Sequence, residues 1–219
     1  MTRTKWLILV ASAIFALAAA GAIFWYWRHP PDMIVSTNLT TERQAEIENE
    51  LKIALAELAK DGKNIERYLV VGRLQARLGR LSVAERYYNQ ALKINKRDQA
   101  VYVGLGVLYR QMGRYEKADR RLRIAVELNP NDKRAFEELI DLYFAHFPDK
   151  SEELKNIFRA ASDYTASPDV WSRYAKFLED RREYREALIY YQEALRALPD
   201  DRLLKEAVER VRNILDNNQ

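Results

Sequence analysis

The sequence predicts an all-α chain: a solenoid of helix–turn–helix hairpins preceded by a single N-terminal transmembrane helix. Three observations predict it. The pairs Gly72/Gly106, Gly79/Gly113, Ala84/Ala118 and Ala91/Ala125 are each separated by 34 residues, the length of a two-helix repeat. The stretch Trp6 to Trp27 carries no charge over 22 residues. Seven Gly and six Pro in 219 residues leave little room for long loops.

The N-terminal stretch, WLILVASAIFALAAAGAIFWYW, would reach about 33 Å as a helix, enough for a bilayer's hydrocarbon core. Trp6 at one end and Trp25, Tyr26 and Trp27 at the other suit the two membrane interfaces. Arg28 and Pro30–Pro31 stop the helix. Residues 6–27 are therefore read as an uncleaved signal anchor behind a short tail, 1–5. A cleaved signal peptide is the competing reading, with Ala16-Leu17-Ala18 or Ala20-Gly21-Ala22 as small-x-small sites. Arg3, Lys5 and the free amine outweigh Arg28 and His29, which favours a cytoplasmic N-terminus and an extracytoplasmic folded domain.

Residues 28–39 form a Pro-containing linker that keeps the folded part near the bilayer. Residues 40–61 form a leading amphipathic helix. Thr41 and Gln44 make a capping box, Ile47, Leu51, Ala54, Leu55 and Leu58 mark its apolar face, and Asp61-Gly62 ends it.

Four copies of the repeat follow: 65–98, 99–132, a degenerate 133–167, and 168–201. In the first two, Tyr68 pairs with Tyr102, Val71 with Leu105, Leu74 with Leu108, Tyr88 with Leu122 and Ile94 with Leu128. The fourth has Trp171, Tyr174, Ala175, Tyr184, Ala187, Tyr191, Ala194 and Pro199 in phase. Small Gly106 and Ala118 let antiparallel helices approach, and Ala125 lets the second helix meet the next repeat. Gly113 ends the first helix, and Pro130 is expected to begin the following one. The third copy is one residue longer. Ile140 replaces the small residue, Phe147-Pro148 the turn glycine, and Glu153 falls where Ala is expected, with Ala161 back in phase. A distorted turn near Phe147 is expected. Residues 202–219 read as a capping helix, apolar through Leu203, Leu204, Ala207, Val208, Val211, Ile214 and Leu215.

This pattern resembles the tetratricopeptide repeat (TPR) family. Its best match is Tyr102, Leu105, Gly106, Tyr109, Gly113, Tyr115, Ala118, Leu122, Ala125 and Pro130, and the resemblance covers roughly residues 65–201. It implies a right-handed superhelix whose concave groove, lined by the first helix of each hairpin, binds a protein or peptide. The groove residues it implies are Leu69, Val70, Arg73 and Arg77 in the first repeat and Val103, Gly104, Val107 and Arg110 in the second. The third gives Glu137, Glu138, Asp141 and Phe144, and the fourth Ser172, Arg173 and Lys176. Such a groove runs from apolar–basic to acidic, a gradient able to orient a charged peptide. An ordinary solvated helix face reads the same way. The Lys/Asn/Arg clamp by which some TPR domains hold chaperone tails has no counterpart, since Leu69, Arg73 and Gly104 occupy those places. Tyr87-Tyr88 and Tyr190-Tyr191 read as packing rather than ligand positions.

Charge and composition narrow the function. The net charge is +4, but without Arg3, Lys5 and Arg28 the chain has 33 basic against 32 acidic residues. No basic face for nucleic acid is expected. The absence of Cys excludes disulfides and thiolate metal sites. The two histidines, His29 and His146, lack partners at metal-ligand spacing, and no Gly-rich phosphate loop is present. No catalytic residue, metal or cofactor is expected. The leading expectation is a membrane-anchored interaction scaffold or assembly factor. A chaperone-like carrier of extended clients and a structural subunit of a membrane complex are the alternatives, and self-association stays open.

Overall fold

The computed structural model describes Met33 and residues 37–217. The expected transmembrane helix and most of the linker lie outside the described residues. Among the described residues there are ten α-helices and no strand. None of these helices is long and apolar enough to cross a membrane. Helix α1 (Thr41–Lys60) leads into four hairpins: α2 (Ile65–Arg77) with α3 (Leu81–Ile94), α4 (Gln99–Gln111) with α5 (Tyr115–Leu128), α6 (Lys133–His146) with α7 (Ser151–Thr165), and α8 (Pro168–Asp180) with α9 (Tyr184–Ala197). Helix α10 (Arg202–Asn217) closes the stack.

Short polar side chains start most of the first helices. Asn64 Oδ1 accepts from the Arg67 N–H, Asp98 Oδ1 from Val101 and Asp132 Oδ1 from Arg134. Each satisfies a backbone donor that the helix itself cannot. Two expectations shift here. The cap of α1 is Thr40 rather than Thr41, with Oγ1 accepting from Arg43 at 3.2 Å. Pro130 lies in the connection before Asp132, and α6 begins only at Lys133.

Three of the four hairpin turns share one geometry. The N–H of Arg80, Arg114 and Glu183 donates back to the carbonyl of Gln75, Tyr109 and Leu178 at 2.8–2.9 Å. The residue before each lies in the left-handed region: Gly79 at φ 74°, Gly113 at 69° and Arg182 at 62°. This bond, closed over a left-handed residue, satisfies the carbonyls at the helix end. The third hairpin lacks it. Phe147 sits at φ −131°, and its N–H bonds to Tyr143 at 3.0 Å.

Packing within the hairpins depends on glycine where backbones meet side chains. A Cβ on Gly106 would lie 2.5 Å from Leu122 Cγ, and one on Gly72 would lie 2.7 Å from Tyr88 Cε1. Tyr88 also reaches the next repeat, because a Cβ on Gly104 would lie 3.2 Å from the same ring.

The third hairpin is built differently, and its register needs correcting. The buried face of α7 is Leu154, Phe158 and Ala161, spaced like Ala118, Leu122 and Ala125 but displaced by 36 residues. Two residues are therefore added before α7, not one. Leu154, not Glu153, stands at the expected Ala position, and Glu153 is exposed. With Ile140 and Leu154 in place of Gly and Ala, α6 and α7 approach less closely than the other hairpin partners. Aromatic rings fill the space: Phe158 stacks on Tyr174 at 5.2 Å and meets Phe177 at 5.5 Å and Phe144 at 5.8 Å.

One core runs continuously from α2 to α9, with a smaller cluster under α1 and another under α10. The apolar face of α10 buries Leu204, Ala207, Val208 and Val211, while Leu203 remains exposed. Glu179 of α8 ties the end together. It accepts from Arg210 at 2.8 Å and from the Tyr191 hydroxyl at 2.8 Å.

Candidate partner-binding groove

The first helices α2, α4 and α6 stack side by side, and long side chains join α6 to α8. The residues expected to line their common face do not behave alike. Leu69 and Val103 are buried in core clusters and present no side chain to a ligand. Gly104 is half-buried beside the Tyr88 ring. Val70, Val107 and Ser172 are half-buried, and Phe144 is 48% exposed with its ring edge on Phe158 and Phe177.

The expected charge gradient is largely neutralised within the protein. Arg110 of α4 pairs with Glu138 of α6 at 2.7 Å, and Asp141 of α6 pairs with Arg173 of α8 at 2.5 Å. Lys133 bridges Glu137 at 3.3 Å and Asp169 at 3.3 Å, while Lys176 holds Asp180 at 2.7 Å on its own helix. Burial pushes the Glu138 carboxyl above its ordinary value, against the pull of Arg110. These pairs brace neighbouring helices in register. A charged ligand would have to break them, so the α4–α8 part of the face offers little net charge to an incoming chain.

The N-terminal part of the face differs. Val70, Arg73 and Arg77 line an open cleft of about 760 Å³ between α1 and α2, within the range of small-ligand and peptide pockets. Ile53, Ala54, Val70 and Leu74 give it an apolar floor, with Ile53 58% exposed. Its rim carries looser ion pairs, Arg77–Glu50 at 3.5 Å, Arg73–Glu66 at 3.7 Å and Arg67–Glu57 at 3.6 Å. Exposed pairs at such separations hold their charges weakly. Sequence reasoning missed the share of α1 in this cleft. That helix has no copy elsewhere in the chain to set its register, although Ile53 lies off the apolar face drawn through Ile47, Leu51 and Leu58.

Among the described residues no group of His, Asp or Glu is arranged to hold a metal ion. His146 stacks on Tyr115 at 3.7 Å, between the end of α6 and the start of α5. The tyrosines singled out in the sequence pack: Tyr88 and Tyr191 are buried, and Tyr190 lies 4.5 Å from Tyr174.

A family model described as tetratricopeptide repeat matches residues 75–140. No curated protein matches the chain. Solved structures do. One described as PilF of Pseudomonas aeruginosa is 19% identical, with 80% of this chain and 87% of that one covered and a TM-score of 0.57. A thermophilic TPR protein of Thermus thermophilus, TTC0263, is 19% identical over 76% and 91% of the two chains, with a TM-score of 0.53. YrrB, described as a TPR protein with an unusual peptide-binding site, is 20% identical over 75% and 84%, with a TM-score of 0.52. At these identities the likeness is one of fold.

Proposed function

Because the chain belongs to the tetratricopeptide repeat family, matched directly over residues 75–140, we propose that it is an interaction scaffold, held to a membrane by residues 6–27, that captures a protein or peptide partner. The observation that carries this reading is the cleft between α1 and α2. It combines an apolar floor with guanidinium groups that are only loosely paired. An extended segment with an apolar anchor and a flanking carboxylate fits it best, since burial of the anchor supplies affinity and Arg73 and Arg77 fix direction. The reading assigns no chemistry to the chain. Charge flanking the apolar stretch supports an extracytoplasmic placement of the repeats, directed toward the assembly of envelope proteins.

The test is site-specific photo-crosslinking in cells with the full-length chain. A crosslinker at Ile53 should yield a discrete adduct that one at exposed Asn131 does not. Equal, diffuse adducts from both positions would point instead to a carrier of many clients. No adduct at Ile53, with adducts elsewhere on the repeats, would sink the assignment of the cleft.

A further inference from the structure

Met33, eight residues before α1, is fastened to the first hairpin. Its carbonyl accepts the Leu81 N–H at 2.9 Å, and its N–H donates to Ser82 Oγ at 2.8 Å. Its side chain is half-buried against the main core. The contact falls at the first turn of α3, whose N-cap residue Arg80 makes no side-chain capping bond. Met33 thus supplies the Leu81 N–H with an acceptor from outside the hairpin, beside the Gly79 carbonyl at 3.0 Å.

The place of this contact has a geometric consequence. Hydrogen bonds and ion pairs between successive first helices, Gln99–Asp132, Lys133–Asp169 and Asp141–Arg173, show α4, α6 and α8 running parallel in the stack, and the short reversals at 78–80 and 95–98 give α2 the same direction. All four turns inside the hairpins therefore lie along one edge of the array, and the connections between hairpins along the opposite edge. Met33 is fastened to the first of these edges. It follows Trp27 by six residues, a reach of at most about 20 Å. Charge favours the same edge. The turns 78–80, 112–114, 147–150 and 181–183 hold five basic and two acidic residues, whereas the connections 61–64, 95–98, 129–132, 166–167 and 198–201 hold three basic and five acidic. Three of the five basic turn residues, Arg80, Arg114 and Arg181, also pair with Glu48, Glu85 and Glu152 of the adjoining helices, so the charge difference is secondary to the Met33 contact. Anionic headgroups attract the basic edge and repel the acidic one.

We infer that the edge formed by the turns inside the hairpins is the membrane-facing surface of the repeats. Its partner is the anionic headgroup layer, and the Met33 contact sets the orientation. The inference rests on the reading of residues 6–27 as a membrane anchor. It places the repeat helices upright on the bilayer rather than flat upon it, with the Arg77 end of the α1–α2 cleft toward the bilayer and the Asn64 end away from it.

The full-length chain in vesicles, with neutral or with anionic phospholipid carrying a headgroup quencher, tests it. Single cysteines at exposed Gln111 and exposed Asn131, on the two edges, carry the fluorophore, and the chain has no native Cys to interfere. A helix the length of α4 spans about 20 Å, enough to separate the two signals. Quenching at 111 should exceed that at 131 severalfold, more so in anionic vesicles. Met33→Pro removes the N–H donor and Ser82→Ala its acceptor, and either change should bring the two signals together. Equal signals in the unmodified chain, stronger quenching at 131, or an unchanged ratio in both variants would overturn the inference. A chain that washes off the vesicles with carbonate would overturn the anchor reading as well, which separates the two failures.

Discussion

In the second hairpin, Gly106 of α4 lets Leu122 of α5 rest against its backbone; in the third, the matching residues are Ile140 and Phe158. Both pairs are fully buried, yet they set the distance between helices in opposite ways. Glycine leaves room, so a side chain of ordinary size closes the gap. Isoleucine takes that room, so the helices stand apart and rings of Phe144, Phe158, Tyr174 and Phe177 fill the interval. The lesson is that the repeat keeps its volume filled and leaves the residue sizes free.

The largest test of this contrast is Phe158→Ala. It removes the central ring of the aromatic cluster and should cost about 3–5 kcal/mol, read as a lower midpoint in urea. Gly106→Ala comes next, at roughly 1–3 kcal/mol, because its new methyl would meet the fixed Leu122 branch at 2.5 Å. The double variant Gly106→Ala with Leu122→Ala sharpens the point: if close approach is the cause, it should cost less than the two single changes together.

A third test is acid unfolding of the C-terminal end. Hydrogen bonds from Arg210, with further help from Tyr191, hold the Glu179 carboxyl below its ordinary value of 4.5. A carboxyl lowered in the folded state contributes stability that is fully present above the unfolded value and is lost as pH falls through the folded one. Below about pH 4.5 the docking of α10 should therefore weaken. Glu179→Gln should remove that pH dependence and cost about 1.5–3 kcal/mol at neutral pH, followed by hydrogen exchange in α10. Exchange in α10 that ignores both pH and the substitution would count against this tie.

The smallest effects concern the turns. Gly113→Ala meets nothing within 4 Å, so its cost is conformational alone, about 1 kcal/mol at φ 69°. Arg182→Gly is the converse, placing glycine where an arginine already sits at φ 62°, and should raise stability by up to about 1 kcal/mol. Thermal melts of the two variants should move in opposite directions.

Much of the fold is legible in the sequence. Ala84–Tyr88–Ala91, Ala118–Leu122–Ala125 and Ala187–Tyr191–Ala194 repeat one spacing, and each set is buried. Leu154–Phe158–Ala161 keeps that spacing too, and it would have given the register of α7 had spacing been followed in place of the residue type at Glu153. Other features had no signal to read. The Met33 contact uses a backbone N–H and a backbone carbonyl, which every residue but proline offers alike. Pairing of the groove charges also escaped, because Arg110–Glu138 and Asp141–Arg173 join residues about one repeat apart and look like unrelated surface charges along a line of sequence.

Tyr88 touches Gly72 in its own repeat and Gly104 in the next. A linear array of this kind behaves as a one-dimensional lattice, in which the strength of each neighbour term sets how far disorder travels from an end. One ring shared by two units contributes to that term at the first boundary. Fraying that enters from the C-terminal end is expected to stop short of it, so the two repeats beside Met33 melt as one block, and Tyr88→Ala should split that block into two transitions.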